Sequence, residues 1–218
     1  MSNESKGIEI VQQPAGRAVS VRSGGLSIST QSQHVNLHLK REHGQAYFLI
    51  DCSASMAGYK LEEAKQGILD FARDAIRKEY LLGLIEFSSS ATILCKPGRD
   101  INLLADCLKT MRASGGTNMA AAIKAAIAAF ENVKSERVIV IATDGQPDKV
   151  GAALDAGKAA KKEGIDIIAI GTDDADQGFL KKLASRADLG RKVTSEKFAQ
   201  SIVDSAQLLP PPRTIVKT

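Results

Sequence analysis

A chain of 218 residues with 44% hydrophobic content can bury one sizeable core, and its length favours a single main domain. A formal net charge of +4 spread through 25% charged residues is no nucleic-acid footprint, and 4% aromatics with no tryptophan argue against platforms for stacking bases or sugars. The opening MSNESKGIEIVQQPAG carries neither a basic nor an apolar leader region, and no run of about eighteen apolar residues occurs. Cys52, Cys95 and Cys107 form an odd set without CxxC spacing, so neither a disulfide framework nor a zinc knuckle is expected. These features together predict a cytoplasmic protein with no membrane contact.

Residues 1–44 alternate apolar and polar side chains through GRAVSVRSGGLSISTQSQHVNLHLK, with Gly24-Gly25 placed as a turn would be. They are read as an N-terminal extension with a β-hairpin or ribbon. His34 and His38 on an extended strand would stand about 13 Å apart at ~3.3 Å per residue, too far to share one ion, so the histidines are read as surface residues.

From Gln45 onward the order becomes regular. AYFLID is a short buried strand, and KLEEAKQGILDFARDAIRK repeats Leu61, Ala64, Ile68, Phe71, Ala72 and Ile76 along one helical face. LLGLIEF and ATILCK are two strands joined tightly by SSS, INLLADCLKTM is a short helix, and RASGGTN is a loop into the alanine-rich helix MAAAIKAAIAAFENV. VIVIATD is a second β-branched strand ending on aspartate. Helix VGAALDAGKAAKKEG, strand IDIIAIGT, helix QGFLKKLASRA, a short RKVT strand and helix EKFAQSIVDSAQLL follow, stopped by Pro210 to Pro212. Lys158, Lys161 and Lys162 read as a solvated helix face, and Asp173, Asp174 and Asp176 as capping the helix near Gln177.

Buried strands alternating with amphipathic helices predict an α/β fold: a doubly wound, mostly parallel open sheet with helices on both faces and ATILCK as one antiparallel edge strand. The expected division is an extension at 1–44, a domain at 45–208 and a Pro-rich C-terminal tail at 209–218. Ligands of such sheets bind outside the carboxyl ends of the strands, where Asp51 and Asp144 both arrive.

DCSAS, residues 51–55, turns Asp51, Ser53 and Ser55 toward one point; Thr117 in the GGT loop and Asp144 in TDG add two more oxygens. Five oxygen-bearing side chains from three loops suit a hard cation such as Mg²⁺. D-x-S-x-S, GGT and T-D-G in this order resemble the metal-ion-dependent adhesion site of von Willebrand factor A domains, over roughly residues 45–206. The resemblance implies that Ser53 and Ser55 bind the metal directly, Thr117 directly or through water, and Asp51 and Asp144 mainly through water. It also implies Mg²⁺ or Mn²⁺ as cofactor and a partner protein whose Glu or Asp completes the coordination. Ala54 stands where the family usually has glycine, a change that an ordinary negative φ would tolerate.

Enzyme readings fail on particulars. Ser53 cannot act as the general acid of an aspartate-based phosphatase, no histidine follows the first strand to serve a Ser-His-Asp relay, and GxGxxG and the P-loop are absent. The expectation is a non-enzymatic, metal-dependent adaptor. Two further readings stay open: a regulatory subunit of an AAA+ ATPase or chelatase-type complex, and an assembly unit that oligomerises through its N-terminal ribbon.

Overall fold

A computed structural model describes residues 27–30, 33–36, 38–212 and 214–217, with side chains from 42 to 212. The chain divides into two units, one of residues 1–42 with 213–218 and one of residues 43–212. In the first, β1 (Ser27–Thr30) pairs antiparallel with β2 (Gln33–Asn36), a hairpin whose register matches Ser27 to Asn36. The turn expected at Gly24-Gly25 lies outside the described residues. β3 (His38–Arg41) pairs antiparallel with β10 (Thr214–Lys217), so part of the expected Pro-rich tail is a strand. Sequence reading missed this pairing because its partners lie at opposite ends of the chain.

The larger unit is built on a six-stranded sheet in the order β6-β5-β4-β7-β8-β9. β4 (Gly44–Asp51), β5 (Tyr80–Phe87), β7 (Arg137–Thr143), β8 (Asp166–Gly171) and β9 (Gly190–Lys192) run parallel. β6 (Ala91–Gly98) is the antiparallel edge, irregular in register opposite Leu82 to Ile85. The fold class read from the sequence is therefore the one observed. The central strands are apolar almost throughout, from Ala46 to Ile50 and from Val138 to Ala142, because both of their faces are covered.

Two neighbouring aromatics on β4 show how. Successive strand residues point to opposite faces. Phe48 meets Phe71 of α1 (Tyr59–Arg77) edge-on at 5.5 Å, while Tyr47 meets Phe130, which ends α3 (Met119–Ala129), at 5.1 Å. α1 and α3 therefore cover opposite faces. α1 packs on α6 (Phe198–Ser205) and α2 (Ile101–Thr110); α3 packs on α4 (Val150–Lys162), and α4 on α5 (Gln177–Leu183). Among the described residues, no helix is long and apolar enough to cross a membrane.

Side-chain caps start three of these helices, and of the three only Asp176 is a cap expected from the sequence. Asp100 accepts from the backbone of Asn102 and Leu103, Asn118 from Ala121, and Asp176 from Phe179. Lys161 departs from its expected solvated role: its ammonium donates to the carbonyls of Lys182 and Ala184 at 2.9 and 3.2 Å, closing the end of α5.

Candidate metal centre

β4 is where the chain reverses its direction of winding, since β5 adds on one side of it and β7 on the other. A crevice forms outside the carboxyl ends of strands at such a reversal. Asp51 ends β4 there, and Thr143 and Asp144 close β7 beside it.

Asp51 is fully buried and anchors the loop that follows it. Its Oδ1 accepts from the Ser53 backbone N–H at 2.8 Å, and its Oδ2 accepts from the Thr143 hydroxyl. Burial pushes the Asp51 carboxyl above its ordinary range, the Thr143 and Ser53 hydrogen bonds oppose that, and the Asp144 charge adds to it. Ser53 Oγ then lies 3.1 Å from Ser55 Oγ, and Ser55 Oγ donates to Asp144 Oδ1 at 2.8 Å. A short 3₁₀ turn at Ala54–Met56 carries these hydroxyls, and Ala54 is not among the described residues with positive φ, so the missing glycine costs nothing in backbone strain.

Thr117 sits on a loop stitched to this one. The Ala54 N–H donates to the Gly115 carbonyl at 3.1 Å and the Ser114 N–H to the Cys52 carbonyl at 2.7 Å. Gly115 turns with φ +77° directly against Ser89, a conformation and a closeness that a side chain would resist. Asp148 clamps the same loop from below, accepting from the Thr117 N–H at 3.0 Å while its own N–H donates to the Thr117 carbonyl at 3.1 Å. The structure thus joins Asp51, Ser53, Ser55 and Asp144 in one hydrogen-bonded array and places Thr117, largely buried, on a loop bonded to it.

Several neighbours escaped the sequence reading. Thr143 enters the sequence reading only as the residue before Asp144, and Asp148 does not enter it. Lys60 reaches in from α1 to within 2.7 Å of Asp144 Oδ2 and of Asp173 Oδ2, and Ser195 donates to the other oxygen of Asp173. Asp173 was expected to cap α5, yet Asp176 alone does so, and Asp173 is spent on Lys60 and Ser195. Only the position of Asp173 at a strand's carboxyl end could have signalled this. Cys52, between Asp51 and Ser53, is buried, and its thiol is pushed up to about 12 by desolvation and by the Glu86 and Asp51 charges, which makes it an inert small hydrophobe.

The donor set fits a hard cation. All five candidate donors are oxygens, three of them neutral hydroxyls. The 3.1 Å between Ser53 Oγ and Ser55 Oγ matches the edge of an octahedron, which for metal–oxygen bonds of about 2.1 Å is about 3 Å.

The sequence profile of the von Willebrand factor type A domain matches residues 46–207. The chain belongs to this family. Among curated relatives, the magnesium-chelatase 67 kDa subunit of Chlorobaculum parvum is 27% identical over 154 residues, covering 66% of this chain and 24% of that one. The collagen alpha-4(VI) chain of Mus musculus is 26% identical over 157 residues, 66% of this chain and 6% of that one. The chain thus spans a quarter or less of these two relatives' length. Among solved structures, the vWF domain of the type V pili tip protein Mfa5 from Porphyromonas gingivalis aligns with a TM-score of 0.71 at 13% identity, covering 78% of this chain and 95% of that one. Proximal thread matrix protein 1 from the mussel byssus, with zinc occupying its MIDAS motif, aligns at 0.67 and 18% identity over 84% of this chain and 50% of that one. At these identities the structural likeness speaks for the fold.

Proposed function

We propose that this VWA domain is a non-enzymatic, metal-dependent protein-binding module. The observation that carries the reading is the array of Ser53, Ser55 and Asp144, hydroxyls at octahedral spacing over a buried aspartate. Ser53 and Ser55 would hold Mg²⁺ through their hydroxyls, with Thr117 beside them and Asp51 and Asp144 acting mainly through water. When bound, the cation supplies Lewis acidity with an open coordination position, because its direct ligands are mostly uncharged. An acidic side chain of a partner protein fills that position. Asp51 contributes by fixing the loop, and Asp148 by holding Thr117 in place.

The experiment is capture from native lysate with wild type and with Asp51→Ala/Ser53→Ala protein, each in Mg²⁺ and in EDTA. Partners retained only by wild type in Mg²⁺, and lost when their own Glu or Asp is neutralised, are the expected result. Equal capture in all four conditions would sink the reading.

A second reading rests on the chelatase relative: the domain serves as a subunit of an AAA+ ATPase assembly. It predicts an ATPase among the captured proteins and a hydrolysis rate that rises when this chain is added.

A further inference from the structure

Lys60 stands in the first turn of α1 and is 29% exposed, and its ammonium lies 2.7 Å from both Asp144 Oδ2 and Asp173 Oδ2. The Asp144 side chain is 1% exposed, so without a counter-charge it would be a buried, unpaired anion, which desolvation strongly disfavours. Its other oxygen already accepts from Ser55. Asp173 adopts φ 46°, a left-handed conformation that aspartate tolerates better than most residues, and this turns its carboxylate onto both Lys60 and Ser195. The ammonium is therefore held by two anions on the loops after β7 and β8. A divalent cation seated by the Ser53 and Ser55 hydroxyls would share Asp144 with it, and two like charges around one carboxylate repel across only a few ångströms.

We propose that Lys60 is a resident counter-ion that competes with the divalent cation for Asp144. It holds the crevice together when no metal is bound and sets cation affinity below what the five oxygen donors would give alone. The inference rests on the reading of the crevice as a cation site. Asp173 keeps the ammonium near when Asp144 turns to the metal, so the chain need not expel Lys60 to bind.

The test measures Mn²⁺ binding by calorimetry and thermal unfolding in EDTA for wild type, Lys60→Met, Lys60→Arg and Asp51→Ala/Ser53→Ala. Lys60→Met is expected to bind Mn²⁺ at least about tenfold more tightly than wild type. It should also unfold at a lower temperature in EDTA, and Mn²⁺ should restore more than it adds to wild type. Lys60→Arg, which keeps the charge, should match wild type in both measurements. Unchanged or weaker Mn²⁺ binding by Lys60→Met, while wild type binds and Asp51→Ala/Ser53→Ala does not, overturns the inference and leaves the cation site standing. An unchanged unfolding temperature of Lys60→Met in EDTA overturns it as well, whatever the metal result. If neither wild type nor Lys60→Met takes up Mn²⁺, the cation reading and the inference fall together.

Discussion

Asp51 combines full burial with a carboxylate, and its two hydrogen bonds only partly offset the desolvation. Its folded pKa lies above its unfolded one. The stability it contributes is therefore complete below the ordinary carboxylate range and is lost as pH rises through the raised value. In EDTA, the stability of Asp51→Asn relative to wild type should grow as pH climbs from the carboxylate range to neutrality, as read by urea denaturation. Excess Mg²⁺ should reverse the order at neutral pH, since the amide cannot supply the anion; a parallel pH response of the two proteins in EDTA would refute the assignment. The five candidate ligands were legible because each sits in a short motif at a strand end or glycine-rich loop. Thr143, Lys60 and Asp148 were not, since their partners are set by packing: Lys60 occupies an ordinary polar helix position, and only the approach of α1 to the β7 and β8 loops makes it meet Asp144 and Asp173.

At the scale of elements, α1 and α6 lean on each other through a glycine. A Cβ at Gly67 would stand 2.8 Å from the Ala199 carbonyl and 3.1 Å from the Ile202 side chain. Gly67→Ala gains about 1 kcal/mol of helix propensity in isolation, but here it forces the two helices apart. The expected outcome is a net destabilisation of about 1–3 kcal/mol, measured by denaturant unfolding. Stabilisation would mean that α6 yields easily. The amphipathic face of α1 was readable from its period, with Leu61, Ala64, Ile68, Phe71 and Ala72 buried as expected and Ile76 only partly so. The last helix was less so. The span read as one helix from Glu196 is a 3₁₀ turn at Ser195–Lys197, a short α6 and another 3₁₀ turn at Ala206–Leu208, because helical spacing does not distinguish i+3 from i+4 bonding over so few residues.

For the whole molecule, residues 43–212 hold one continuous core, from Ala46 on the central strand to Leu209 past the last helix. A fragment of those residues should unfold cooperatively and keep the cation affinity of the full chain, by calorimetry. A fragment that is monomeric while the full chain is oligomeric would place self-assembly in the unit of residues 1–42 and 213–218. Loss of cooperative folding would show that the core depends on that unit. By itself the sequence determined the element order of residues 45–208, the parallel sheet with its antiparallel edge, and the candidate oxygen donors at the strand ends and in the GGT loop, because hydrophobic period and turn chemistry are local properties. Tertiary structure alone decided that β10 pairs with β3, that Asp148 holds Thr117, and that Lys60 shares Asp144 with the candidate ligands. Each of these joins residues far apart in the chain, and contacts of that kind come from the packing of whole elements, which no local pattern encodes.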